Sequence, residues 1–293
     1  REDEEALKHS VLVIDNGSVD NTCQVLKKFR KQYPNFNAIY EPKKNLAFLL
    51  NLGIKSSHSE IAVFINDDVE MPDNWLKLLI DTFDQYKDVS LIGGPTIATR
   101  KQEIARIYES RSQNIFMQVS CRIFNSIIMD GKLMEIGVHL PWGAYSIGGS
   151  DYKAREINDN LFVDILSITN IAIKRDVFER IGYFDENFLF AHYDGDFFIR
   201  VRKAGYKQLF NPHAWLLHKV NPTGATRRAF FIGRDIGYYL AKSVRPKSLN
   251  GLLRYFLYAI FLNAFWIYKA IETKKINQLL GIYGFFRGII DFL

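Results

Sequence analysis

The chain is organised around residues 62–72, AVFINDDVEMP, where the apolar run Ile61 to Ile65 breaks off into acid. Ile61, Val63, Phe64 and Ile65 have the continuous apolar character of a strand covered on both faces, as in parallel sheets of α/β domains. Asn66, Asp67 and Asp68 then fall at the carboxyl end of that strand, with Glu70 two residues on. Ligands bind along that edge in open α/β sheets. Crowded hard oxygens suit Mg2+ or Mn2+, an ion able to bridge carboxylates to a diphosphate. Taken alone, NDD is more often an acidic turn before a helix, with Pro72 at its first position. The neighbouring segments decide.

Strand and helix signals alternate from Val11 to Pro95. Val11–Ile14 is an apolar run ending in Asp15-Asn16-Gly17-Ser18, and a helix follows over about 21–32 with Val25, Leu26 and Phe29 on one face. Asp15 is thereby placed to accept a hydrogen bond from a nucleobase or ribose, although DNGS alone is also a good turn. A strand is expected at 37–40 and a helix at 45–54. Trp75, Leu78, Leu79 and Phe83 mark a helix over 75–86, and a strand at 89–92 runs into Gly93-Gly94-Pro95. The alternation predicts a mostly parallel sheet with helices on both faces.

From Thr96 to Asp164 the signal weakens, and irregular structure with short strands is expected, the kind of region that carries substrate loops. Trp142 and Tyr145, near Gly148-Gly149, suit stacking on a sugar ring, though such aromatics are more often core. Order returns over 167–175, with a short helix at 176–181. In FLFAHYDGDFFIRVR (188–202), Asp194 and Asp196 flank a glycine ahead of helical Phe197, Phe198 and Val201. Acids there complement the helix dipole; alternatively, one is a general base held over a reacting hydroxyl. His213 and His218 follow. A histidine beside an apolar strand is more often structural, and His218, at the strand's end, is the better ligand candidate.

Charge separates the tail from the body. Of a net +6, residues 227–293 carry +8, eleven Lys/Arg against Asp235, Glu272 and Asp291, which leaves −2 for the rest. Leu252–Ile271 is apolar nearly all round, but only Tyr255–Tyr268 is free of charge, short of the ~20 residues that span a bilayer. Arg254, Lys269, Lys274 and Lys275 flank it, with Tyr255, Trp266 and Tyr268 among it, and 276–293 reads as a second amphipathic segment. Helices lying in a membrane interface and a buried helical hairpin both fit. The tail is too apolar for nucleic acid. Two cysteines, Cys23 and Cys121, without a CxxC or Cys/His cluster, give neither a disulfide framework nor a zinc site, and a reducing compartment fits. The chain opens on Arg1, with REDEEALKHS reading as a helix end, so a chain cut at its N-terminus is expected.

Together the motifs resemble inverting family-2 glycosyltransferases of the GT-A fold, membrane-associated type. VLVIDNGSVDNT is similar to that family's nucleotide-binding strand and turn, and the stretch through FINDDVEMP to its DxD-type metal motif. SITNIAIKRDVFERIGYFDENF is similar to its acceptor-side segment, YDGDFFIRVRKAGY to its base motif, and HKVNPTG to its downstream histidine. The resemblance covers about Val11 to Thr226. It implies a Rossmann-like GT-A domain over 1–226 and a basic, aromatic-rich helical region over 227–293. It places Asp15 at the nucleobase and Asp67 at the ribose or diphosphate, with Asn45 and Asn66 also on the donor side. Asp68 would bind Mn2+ or Mg2+, His218 completing the shell. Asp194 would be the catalytic base, with Trp142 and the orienting acid Asp196 on the acceptor side.

The departures are the missing opening strand with its PxYN-like turn, Asn66 as first member of DxD, Tyr193 in place of Glu, and Ile168 in place of Gly. No QxxRW follows, so a processive polysaccharide synthase is not expected. The resemblance implies transfer of a sugar from a nucleotide donor to a glycan or lipid-linked acceptor. The setting would be cell-surface polysaccharide or glycoconjugate synthesis, at the cytoplasmic face of a membrane, by a chain that is a possible homo-oligomer. A non-catalytic binding or scaffold relative is the alternative. A nucleotidyltransferase would show a Gly-rich phosphate loop near its start, and none is visible.

Overall fold

The structure is a computed structural model that describes residues 9–98, 115–147, 157–219 and 228–293. The expected helix end before residue 9, the Gly148-Gly149 turn and the 221–224 segment lie outside these residues. Strand β1 (Val11–Asp15) pairs in parallel with β2 (Phe36–Tyr40) across helix α1 (Thr22–Gln32), forming a two-stranded sheet. Helix α2 (Leu46–Lys55), capped by Asn45, leads to β3 (Ile61–Ile65). This strand is the edge of a five-stranded sheet ordered β3, β10 (Asn170–Lys174), β5 (Val89–Gly93), β11 (Lys207–Phe210), β9 (Leu161–Val163).

That sheet is mixed rather than mostly parallel. β10 runs antiparallel to both β3 and β5, and β9 antiparallel to β11, while β5 and β11 are parallel. An apolar run records burial but not direction, so SITNIAIKR reads alike either way. β3 also departs from expectation: it is half-buried, with Ile65 exposed, because among the described residues it pairs on one side alone.

Helices cover both faces. α2, α5 (Arg175–Ile181) and α6 (Tyr193–Lys203) close one core, with Ile54, Val177, Phe178, Phe197 and Val201 packed on Leu91, Ile171 and Ile173. On the other face, α3 (Trp75–Gln85) lays Trp75, Leu79 and Phe83, four residues apart, on Val89, Ile92 and Ala172. Burial of each such side chain contributes about 1.5–3 kcal/mol.

A small three-stranded sheet sets β12 (Leu216–His218) between β4 (Val69–Glu70) and β6 (Thr96–Ala98). The weakly patterned stretch holds a helix the sequence did not show, α4 (Ile115–Ile127), and the pair β7 (Val138–His139) and β8 (Tyr145–Ser146). Phe124 of α4 packs on Tyr258 and Phe261, so this helix completes its core with residues far along the chain.

The tail forms α7 (Ala229–Ser243), α8 (Leu249–Thr273), a short 3-10 turn at Ile276–Leu279 and α9 (Leu280–Phe292). α7 and α9 meet backbone to backbone. A Cβ on Gly233 would lie 2.0 Å from the Gly281 carbonyl oxygen, and one on Gly288 would lie 1.8 Å from that of Arg234, so only glycine permits the approach. The tail shares a core with the rest of the chain: Tyr239, Leu240, Tyr258 and Phe285 pack with Ile128, Met129, Trp142 and Phe188.

Candidate active site

β3 and β5 both oppose β10, so they run the same way, and Asn170 at the start of β10 pairs with Ile65 at the end of β3. The acidic segment and the segment preceding β10 therefore share one sheet edge. Asn170 is fully buried there: Trp75 Nε1 donates to its Oδ1 at 3.0 Å, and its Nδ2 donates to the carbonyls of Pro95 (2.9 Å) and Ala214 (2.8 Å). It ties the turns before β6 and β12 together. Gly94 admits this closeness, since a Cβ there would stand 1.9 Å from the Ala214 oxygen. In sequence the signal of Asn170 is a polar residue opening an otherwise apolar strand, which does not by itself mark it as functional.

Asp68 does not enter a helix but leads into β4, which pairs with β12 so that His218 opposes Val69. This brings His218 Nε2 to 2.9 Å from Asp68 Oδ1 and 3.4 Å from Asn66 Nδ2. The approach makes no hydrogen bond to the carboxylate, and Oδ1 remains buried without a donor. A carboxylate oxygen and an imidazole nitrogen facing each other with an unmet acceptor suit a hard divalent cation. Among the described residues no group of three His, Cys, Asp or Glu converges to hold a metal by itself. Asp67 and Asn66 are exposed. Asp15, at the end of β1, is buried and its Oδ1 accepts the Ser18 amide at 3.0 Å, closing the turn on Gly17 (φ 73°).

Three expected contacts read differently in the structure. Asn45 uses its side chain within the protein: Oδ1 accepts the Phe48 amide at 2.9 Å and Nδ2 donates to the carbonyls of Glu186 (2.8 Å) and Phe188 (3.0 Å). It positions chain instead of presenting donor-binding atoms. Trp142 is 5% exposed, its indole N–H donates to the Ile128 carbonyl at 2.7 Å, and the Arg254 guanidinium covers its ring. No face is left for a sugar. Asp196 is 2% exposed and turned inward, bound by Arg200, Lys242 and the Ser243 hydroxyl.

Asp194 lies in the first turn of α6, its Oδ1 accepting the Gly195 amide at 2.9 Å. Burial pushes its carboxyl above the usual range, and Tyr145, Tyr193 and Tyr239 stand close enough to feel its charge. His192, directly before, takes the left-handed conformation (φ 60°), uncommon without glycine. Its Nδ1 lies 3.1 Å from the Tyr145 hydroxyl and its ring stacks on Tyr239, whose hydroxyl donates to the Gly143 carbonyl and meets His139 Nε2 at 3.1 Å. Burial lowers both histidines to about 4, with the Arg202 charge also opposing protonation of His139. His213 is a surface residue 2.9 Å from the Asn158 carbonyl.

A mixed α/β sheet flanked by helices, with an acidic turn at a strand's carboxyl end, is a GT-A type fold. Residues 3–182, more than half of the chain, match the model of glycosyl transferase family 2, and the chain belongs to that family. It is 32% identical over 88 residues to glycosyltransferase AglE of Haloferax volcanii, covering 30% of this chain and 29% of that protein. It is 24% identical over 246 residues to the N-acetylglucosaminyl-diphospho-decaprenol L-rhamnosyltransferase of Mycobacterium tuberculosis, covering 79% of this chain and 71% of the relative. Among solved structures it resembles S. aureus TarS residues 1–349 in complex with UDP-GlcNAc. There the TM-score is 0.57 at 14% identity, over 97% of this chain and 73% of the other. GalNAc-T7 with UDP, GalNAc and Mn2+ gives 0.54 at 12% identity, over 84% of this chain and 47% of the other. The chain thus spans under a third of the Haloferax protein and about half of GalNAc-T7.

Proposed function

We propose that the protein moves one sugar, with inversion, from a nucleoside-diphosphate donor to a glycan or lipid-linked acceptor at the cytoplasmic face of a membrane, in cell-surface polysaccharide or glycoconjugate synthesis. The observation that carries this reading is the unmet Asp68 oxygen facing His218 at the ligand-binding edge of the sheet. Those two residues would hold Mn2+ or Mg2+, whose charge when bound offsets that of the diphosphate leaving group. Asp15 would contact the nucleobase and Asp67 the ribose or diphosphate, with Asn66 also on the donor side. Asp194 accepts the proton of the attacking hydroxyl, and burial, which pushes its carboxyl up, makes it a stronger base than a free carboxylate. The acceptor oxygen bonds to the anomeric carbon as the bond to the diphosphate oxygen breaks and the nucleoside diphosphate departs. This single displacement from the opposite face inverts the centre and needs no covalent intermediate.

The membrane part rests on the tail. α8 is long and apolar enough to cross a membrane by length and composition. Leu249, Leu253, Phe256, Ile260, Ile267 and Ile271 recur at helical spacing, and all are exposed. With Lys269, Lys274 and Lys275 at its end, this stripe suits an anionic lipid surface on which the helix lies.

The test is a transfer assay pairing UDP-, GDP- and dTDP-linked sugars with polyprenyl-diphosphate N-acetylglucosamine, the anomeric configuration of the product being read by NMR. The relationship to the mycobacterial rhamnosyltransferase makes a rhamnosyl donor the first choice. Retention in the product, or no transfer from any donor, contradicts the proposal. Flotation with anionic vesicles at low salt tests the tail, and a chain that stays unbound removes the membrane from the account.

A further inference from the structure

Resting on the reading of Asp194 as base, we infer that Asp235, in the basic tail, is a positioning residue for the transfer reaction: it sets the backbone from which that base projects. The chain from Phe184 to Ala191, which leads into α6, is held from two sides. On the α2 side, Asn51 accepts the Phe184 amide at 3.0 Å and donates to its carbonyl at 2.9 Å, and Asn45 donates to the Glu186 and Phe188 carbonyls. On the α7 side, Arg234 donates to the Asn187 carbonyl. The Asp235 carboxylate accepts three consecutive amides, Leu189 (3.0 Å), Phe190 (2.6 Å) and Ala191 (2.8 Å).

These amides belong to no helix or strand, so without the carboxylate they would be unmet donors just before α6. Asp235 is itself 0% exposed, and a buried carboxylate is tolerated only when hydrogen-bonded and paired. The amides meet the first need, and Arg234, 3.1 Å away and anchored to Asp291 of α9 at 2.8 Å, meets the second. The grip continues down α7. Tyr238 donates to Asp185, Lys242 binds Asp185 and Asp196, and Ser243 donates to Asp196. One helix face, repeating at about four residues, thus holds the chain on both sides of Asp194.

Immediately after the clamped amides comes His192 in its left-handed conformation. Such a residue persists only where its surroundings over-determine it. Fixing residues 189–191 fixes His192, and His192 fixes the direction in which the first turn of α6 presents Asp194. A carboxylate acting through the backbone in this way is expected to change the rate more than the binding of the nucleotide.

The experiment compares the full-length wild type with Asp235→Asn and Asp194→Asn on the donor–acceptor pair that turns over in the panel above, alongside amide hydrogen exchange. Asp235→Asn keeps the volume but turns an amide donor toward amide donors. The expected result is a kcat lower by about 10–100-fold, donor KM and UDP–Mn2+ affinity within about twofold of wild type, and faster exchange confined to residues 189–191. Unchanged kcat, or a loss matched by weaker UDP binding and faster exchange throughout, overturns the inference. If Asp235→Asn does not fold, wild-type exchange decides. Protection of these three amides equal to that of α7 supports the clamp, and exchange at the rate of free chain overturns it. Full activity of Asp194→Asn removes the base on which the inference rests, while exchange at 189–191 still reports separately on the clamp.

Discussion

Asp68 Oδ1 lies 2.9 Å from His218 Nε2 across the β4–β12 ladder and takes no hydrogen bond there. Two residues 150 positions apart are brought together by strand pairing, and Asn170 stabilises the turns that allow it. If a cation joins them, His218→Ala raises the Mn2+ dissociation constant, measured by titration with UDP present, by about tenfold or more, a loss of about 1.4 kcal/mol or more. The fold is expected to stay intact, since the β4–β12 and β12–β6 pairing that places His218 is made by the backbone.

Asp194 separates activity from stability. A carboxyl whose pKa is raised by burial stabilises the fold most when protonated, and that contribution disappears as pH rises through the raised value. Asp194→Asn is therefore expected to melt higher than wild type at pH 7, the gap narrowing as pH falls toward 3.8, while kcat drops by about 10²–10⁴-fold. Thermal unfolding at several pH values, beside a transfer assay, checks both halves.

His139 and His192 act in the opposite sense. Folded values of about 4 against an ordinary 6.5 mean that their neutral forms stabilise the fold above 6.5 and that this is lost as pH falls toward 4. At pH 5 each costs about 2 kcal/mol. Urea midpoints are expected to fall between pH 7 and pH 5, and His139→Gln to flatten that slope.

The glycine contacts between α7 and α9 leave no room for a methyl group. Gly288→Ala would put a Cβ 1.8 Å from the Arg234 oxygen and is expected to cost about 1–3 kcal/mol by denaturant unfolding. Gly131→Ala serves as a contrast, its Cβ meeting nothing within 4 Å although its φ of 78° adds backbone strain.

Much of this was legible in the sequence, and the limits are physical. VLVID and AVFI declared strands as short apolar runs, and the Trp75–Leu79–Phe83 stripe declared a helix by its four-residue spacing. Asp68 and His218 were readable as candidates because acid and imidazole stand at the ends of apolar runs, and strand pairing brings them to 2.9 Å. Strand direction was not legible, because apolar runs lack polarity; hence the mixed sheet. Trp142 carries the composition of a sugar platform, and its burial beneath Arg254 depends on a helix over a hundred residues away. Asp235 was hidden for the same reason. In sequence it is one acid among eleven basic residues of the tail, whereas in space it meets the amides before α6.

The most direct test of the account is calorimetric binding of UDP, GDP and dTDP with and without Mn2+, on the wild type and Asp68→Asn. One nucleotide is expected to bind in a Mn2+-dependent manner, and Asp68→Asn to abolish the dependence. Binding that ignores Mn2+, or that survives unchanged in Asp68→Asn, would contradict the site built on Asp68 and His218.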